Sequence, residues 1–355
     1  MHTARKAFVA LCFTVFSSCA NSYSVQSERS STQNISAPRL DFTSVIKIPR
    51  TQSGFDVGYG LSLQSNGDIW ATGGWNTRGD HVYRWSLADR NWNGVKLPSA
   101  GGVNVKAKIY FANTRSGWVF KDRDIFQTRD GGQTWTPVPL EGRSEITRLQ
   151  AVSFLDSDTG FIGGTTGFMN RDTFEPEQGI EILCTSDAGK EFQVCYKSKE
   201  HQTVHKIIAL KQGKTAVALI DGQYFLITEN DGRDWTEKAL PASVVTAAAD
   251  SQNTLWIAGA EGALFNSRDL GNSWNKPEIS GGESGPVDWS SIAFGENGIG
   301  VAVGNNGIFA VSVNGTAWKV IKTDQITEDL FDIQISGSYL VVQSKDHLYA
   351  ISILN

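Results

Sequence analysis

Short apolar runs separated by small polar clusters fill the chain from Asp41 onward. Val152-Ser153-Phe154, the polar stretch from Asp156 to Gly160 and then Phe161-Ile162-Gly163-Gly164 set the pattern. Ile292-Ala293-Phe294, Gly295 to Gly298 and Ile299 to Gly304 repeat it, as do Ile109-Tyr110-Phe111 and Gly117-Trp118-Val119. Runs of this length, rich in β-branched and aromatic residues and bounded by Gly, Asn, Asp and Ser, predict strands joined by tight turns. Helix-period apolar stripes are absent, so the chain reads as all-β.

Between these runs a second motif recurs. TRDGGQTW, from Thr128 to Trp135, returns as TSDAGKEF from Thr185, TENDGRDW from Thr228, SRDLGNSW from Ser267 and a shortened SVNGTAW from Ser312. An eroded SLADRNW from Ser86 precedes them. Trp92, Trp135, Phe192, Trp235, Trp274 and Trp318 thus fall roughly 40 to 45 residues apart, with one gap near 57, a spacing that marks a repeat array. Within a copy, Asp130, Asp187, Asp231 or Asp269 can accept bonds from amides of its own turn. Gly132, Gly189, Gly232 or Gly271 supplies positive φ, and Trp135, Trp235, Trp274 or Trp318 opens the next strand with a large ring to bury. Four strands fit each period, which describes a β-propeller.

Six boxes define six units, and a seventh begins at Leu330 to Ile333, continues through Tyr339 to Val342 and ends in Leu348 to Ile353. It lacks a fourth strand. Ser44 to Pro49, which precedes the first unit, can supply it, closing a seven-bladed ring of four-stranded antiparallel blades and removing an exposed edge.

These boxes resemble the Asp-box repeat, S/T-x-D-x-G-x-x-W, of sialidases, sortilin-type receptors and photosystem II assembly factors of the Ycf48 and Hcf136 type. The last group is most similar, in its rhythm of G-F/W-I/V followed by D-G-G-x-T-W, its exported or lipid-anchored start and its lack of a catalytic constellation. That resemblance implies a noncatalytic, membrane-tethered scaffold that binds a protein, in that group partly through an arginine-rich surface.

The start of the chain is read separately. His2, Arg5 and Lys6 form a basic head, Ala7 to Phe16 an apolar run too short to span a membrane, and Ser17-Ser18-Cys19-Ala20 a cleavage point. Residues 1–18 read as an export signal. Phe16-Ser17-Ser18-Cys19 also resembles a bacterial lipobox, which implies lipidation at Cys19; ordinary signal cleavage is the other reading. Residues 19–40, rich in Ser, Gln and Asn, read as a tether, leaving 41–355 for the propeller. Ala20 in place of Asp favours the outer over the inner membrane, with the folded part periplasmic or on the cell surface. In such a compartment Cys184 and Cys195, flanking one box on adjacent strands, are expected to form a disulfide.

Charge and chemistry narrow the function. A net charge of -5 gives no basic face for a nucleic-acid partner. The 5 His residues, including His201 and His205, show no ligand or triad spacing, so neither metal nor cofactor is expected. In propellers the box hairpins project on one face and function more often lies on the other. There the loops of the first three blades are unusually polar, with Arg78, Asp80, His81, Lys121, Arg123, Arg143, Arg148 and Arg171 as candidate binding residues. The box residues themselves are expected to be structural. A sialidase would need an Arg triad, and Lys47 stands in Ile46-Lys47-Ile48-Pro49 where the first Arg belongs. A xyloglucanase-like hydrolase would draw its two carboxylates from Asp124, Glu175 and Glu177. The leading expectation is an exported, monomeric propeller binding a protein of the cell envelope as an assembly or stability factor. The alternatives are a glycan-cleaving enzyme and a protective lipoprotein that occupies a toxin or enzyme.

Overall fold

Seven sheets form the chain's folded part, and among the described residues there is no α-helix. The computed structural model describes residues 38–52, 55–73, 81–98, 107–121, 123–140, 144–169, 176–201, 203–210, 214–281 and 286–354. The first strands of successive sheets neighbour one another in ring order, and Leu330–Ser336 of the seventh meets Phe55–Leu63 of the first. The fold is therefore the seven-bladed β-propeller read from the repeats.

Ring closure uses the two ends of the propeller. Arg39–Pro49 lies antiparallel outside His347–Leu354, with Ile46 opposite Ala350 and Ile48 opposite Leu348. The strand begins at Arg39, inside the segment read as tether. A bulge between Asp41 and Ile46 is filled by an Asp turn, in which Thr43 N and Ser44 Oγ donate to the Asp41 carboxylate at 2.9 and 2.6 Å. Ile48 is fully buried against Leu61, Leu63 and Ile69 of blade one, so this strand joins two blades as well as completing one. Trp92 Nε1 donates to Pro49 O at 3.0 Å and ties the next outer strand to it.

Box turns are built the same way in each good copy. Thr128 Oγ1 donates to Asp130 Oδ1 at 2.8 Å and receives Gly132 N at 2.8 Å, while Asp130 receives Thr134 N and Oγ1 at 2.9 and 2.6 Å. Ser267, Asp269, Gly271 and Ser273 reproduce the set, and Thr185, Asp187 and Gly189 most of it. In the copy from Thr228 the acceptor is Asn230, which receives Asp234 N at 3.0 Å. Asp231, read as that box's carboxylate, sits one position later at φ 60° and pairs with Lys214 at 3.0 Å. The motif counts three residues from Thr228, and that residue is Asn.

The Thr134 hydroxyl and amide hold the Asp130 carboxyl at about 2, and those of Ser273 do the same for Asp269, against 3.8 for a free Asp. The unfolded chain binds these protons more tightly. The stability they contribute is thus fully present above about pH 4 and lost as pH falls toward 2. A chain carrying Asp130→Asn and Asp269→Asn is expected to show a flatter fall of Tm from pH 5 to about 2.5. Asn230 shows that an amide oxygen can receive the Thr228 hydroxyl and the Asp234 backbone amide, while its Nδ2 donates to Asp234 at 2.9 Å. Parallel wild-type and variant curves would clear these boxes of any part in acid unfolding.

Boxes also join the blades. Gly132, Gly189, Gly271 and Gly315 each press backbone onto a ring of the preceding blade, namely Trp70, Trp118, Phe225 and Trp256. The following aromatic then meets the ring edge to face, as in Trp70–Trp135, Phe161–Trp235, Phe225–Trp274 and Trp256–Trp318. Nearer the axis, side chains of one blade hold the backbone of the next. Phe111 N donates to Ser62 Oγ at 3.0 Å, Ala209 N to Ser153 Oγ at 3.0 Å and Leu63 N to Gln334 Oε1 at 2.8 Å.

Blade five departs from the common plan. After one bridge between Asn266 and Asn275, Pro277 offers no N–H to its ladder, and Glu278–Ser280 pairs in parallel with Ala317–Ile321 of blade six instead. On the outer half of blade three, Cys184 and Cys195 form a disulfide.

Candidate functional site

A channel of about 890 Å³ runs between the inner strands. Those strands start on the face carrying the second-to-third strand turns and run toward the face carrying the boxes. Blades three, four, six and seven each insert a residue into the inner strand at Leu149/Ala151, Val204/Lys206, Trp289/Ser291 and Leu330/Asp332; blade three has a second shift at Ile146/Arg148, and blade one shifts between Val57 and Leu61. A bulge of this kind re-aims side chains. The inserted residues Gln150, His205, Ser290 and Phe331 all line the channel near its mouth on the face opposite the boxes. Phe331 is 51% exposed, and Val245, just ahead of the inner strand of blade five, is 52% exposed. They are the two most exposed large apolar residues among the described ones.

Just inside this rim the equivalent inner-strand positions carry Lys108, Ala151, Lys206, Thr246, Ser291 and Asp332 in blades two to seven. Lys206 Nζ donates to Thr246 Oγ1 at 3.4 Å and Ser291 Oγ to Asp332 Oδ1 at 3.1 Å, so neighbouring blades are linked within the layer. Asp332 Oδ1 also receives the amide of Ile333 at 2.9 Å. Burial pushes the Lys206 ammonium below the usual lysine range; Asp332 opposes the shift and Lys108 adds to it. The arrangement can bind an anionic group beside apolar surface, on strands that do not move with a loop.

The residues chosen from sequence fall differently. Arg78, Asp80, Arg143, Arg171 and Cys19 lie outside the described residues, as does Glu175. His81 opens the third strand of blade one and stacks on Tyr83. Lys121 is 2% exposed, opposite Asp124 in a hairpin of blade two. Arg123 Nη2 donates to Ser144 O at 3.1 Å, within a network in which buried Glu181 receives Ser144 Oγ and Glu145 N, each at 3.0 Å. Lys197 closes the network on Glu145 at 2.6 Å. Arg148 is exposed on the inner strand of blade three, two residues ahead of the channel-lining Gln150. The structure thus places Arg148 on the inner strand of blade three, buries Lys121 within blade two, and ties Arg123 across to the start of blade three.

Lys108, Lys206 and Phe331 are not among the candidate residues read from sequence, and His205 enters there only as lacking ligand or triad spacing. A signal for them exists in Leu149-Gln150-Ala151-Val152, Val204-His205-Lys206-Ile207, Trp289-Ser290-Ser291-Ile292 and Leu330-Phe331-Asp332-Ile333. Each has two large apolar residues three apart where strict alternation would put them two or four apart, which is the trace of a bulge.

Comparison with known proteins supplies the family. A family model described as photosynthesis system II assembly factor YCF48 matches residues 85–239 and 182–313. Photosystem II assembly lipoprotein Ycf48 of Prochlorococcus marinus is 24% identical over 187 residues, 49% of this chain and 47% of that protein. The match therefore spans about half the length of that relative. Among solved structures, YCF48 bound to D1 peptide superposes with a TM-score of 0.64 at 16% identity, over 90% of this chain and 100% of the other. YCF48 from Cyanidioschyzon merolae gives 0.58 at 14%, over 87% and 98%. An inactive virginiamycin B lyase from Staphylococcus aureus gives 0.62 at 12%, over 88% and 99%, so structural likeness at these identities speaks for the fold alone. With its family model reaching from residue 85 to residue 313 of 355, the chain belongs to the family of the photosynthesis system II assembly factor YCF48.

Proposed function

We propose that this protein is a noncatalytic, exported propeller that binds a segment of an envelope protein during assembly, using the channel mouth opposite the boxes. One observation carries the reading: exposed Phe331 and Val245 sit on the same rim as His205, above Lys108 and Lys206, all set by inner strands and their bulges. Apolar anchors ringed by positive charge suit a peptide with large apolar and acidic side chains. The family's description as assembly factor, and a structural neighbour described as bound to D1 peptide, support a protein ligand. A relative described as a lipoprotein supports anchoring at Cys19. Glycoside hydrolysis needs two carboxylates across the substrate. Among the described residues lining the channel Asp332 is the one acid, and its Oδ1 is engaged by Ser291 and Ile333.

Crosslinking in intact cells with tagged protein is expected to capture an envelope protein in stoichiometric amount. A chain carrying Phe331→Asp and Arg148→Glu should recover it at least about tenfold less well, equivalent to roughly 1.4 kcal/mol. Equal recovery by both chains would rule out the channel mouth as the docking surface.

A further inference from the structure

We propose that the channel holds a discrete carboxylate site between Lys108 and Lys206, and that the group seated there is an Asp or Glu side chain of the docked segment. The proposal rests on the docking reading for the source of the carboxylate, though not for the site itself.

Consecutive blades two, three and four place Lys108, Ala151 and Lys206 at equivalent positions of their inner strands. Alanine between two lysines leaves a notch flanked by two ammonium groups, open to the channel that all three line. Lys206 donates to protein through a single long bond, 3.4 Å to Thr246 Oγ1, while an ammonium carries three donors. Among the described residues neither lysine is in an ion pair. Asp332 offsets this charge only in part: it opposes the depression of Lys206, yet desolvation prevails, and its Oδ1 already receives Ser291 Oγ at 3.1 Å. Gln150, at the rim of the same notch, gives its Oε1 to Val204 N at 3.2 Å, which leaves its amide donors for the channel. Positive charge in a partly desolvated wall is strengthened by low local dielectric and calls for an anion. Desolvation is the main cause of the depressed Lys206 ammonium, with Lys108 adding to it, and an anion seated beside both would offset the two. A carboxylate between the two lysines would satisfy both.

Two sources of carboxylate must be told apart, a docked acidic segment and a free small acid. The probes are a labelled poly-L-glutamate of about ten residues and citrate, measured by calorimetry and by competition at low and high salt. Lys206→Met and Lys108→Met together, with folding checked by circular dichroism and Tm, are expected to weaken poly-L-glutamate at least about tenfold. Citrate should compete with it on the wild type and lose that effect on the double variant. If poly-L-glutamate binding survives the lysine changes but falls with Arg148→Glu, the channel site is overturned while the docking face stands. If citrate binds wild type and is lost on the double variant while poly-L-glutamate binds neither, the site stands for free acids and the docking reading falls. Failure of both probes on wild type overturns the site. A second readout needs no variant: citrate should protect Lys206 from a small amine-reactive ester, scored by mass spectrometry. Labelling that is the same with and without citrate would likewise overturn the proposal.

Discussion

Replacing Ile48 by Asp should open the propeller ring and abolish its cooperative thermal transition near the wild-type Tm. Ile48 is 0% exposed and belongs to the outermost strand of blade seven, opposite Leu348, where it fills the seam with Leu61, Leu63 and Ile69 of blade one. Burial of an isoleucine is worth about 1.5–3 kcal/mol. A carboxylate placed there without a partner adds several kcal/mol more, or remains in water by pulling the strand away. Against a total stability of roughly 5–15 kcal/mol, that is enough to free the strand. His347–Leu354 would then show an unpaired edge and the variant should aggregate. Ile48→Val, which keeps the burial and removes one methylene, is expected to cost about 1 kcal/mol and to elute as the wild type does. Circular dichroism melts with size-exclusion chromatography decide the matter. An Asp variant that melts cooperatively within a few degrees of wild type would mean the ring does not depend on this closure.

That closure was legible from the chain because it is a counting argument. Six box-terminated units left three strands over at one end and one at the other, and an unpaired edge on each side is a cost the fold removes by pairing them. The bulges were not legible by the same method. Alternation assigns each inner-strand residue to one of two faces, so one extra residue reverses the assignment for everything before it. His205 and Phe331 are such extra residues, and both are hidden by a period-two reading. Loop charge points instead to blades one to three, where Lys121 is buried in blade two and Arg123 bonds across to Ser144 O at the start of blade three. Asn230 is masked by Asp231, which has the residue type of the motif one position too late. Pro277 could have been used, since proline in an outer strand breaks the ladder, but where the strand goes next depends on the neighbouring blade's edge.

Gly271→Ala is expected to cost about 2–5 kcal/mol, more than its backbone conformation alone would explain. Gly271 has φ +80°, and a β-carbon added there would lie 2.2 Å from Cζ of Phe225 in the preceding blade. Gly298 provides the control, because its φ of +83° is nearly the same while its nearest neighbour, Val313 O, would stand 3.3 Å from the new carbon. Gly298→Ala should therefore cost only the left-handed backbone term, about 1–2 kcal/mol. Overlap with a packed ring adds roughly 1–3 kcal/mol at position 271, since Phe225 is 2% exposed and edge to face with Trp274. Denaturant melts of the two variants, compared at equal m-value, separate the terms. A larger loss at Gly271 would mean that the box glycine is selected for contact between blades as much as for its turn. Equal losses would reduce it to a turn residue, and the seams between blades would then have to be held by the aromatic pairs and the inner-strand hydrogen bonds alone.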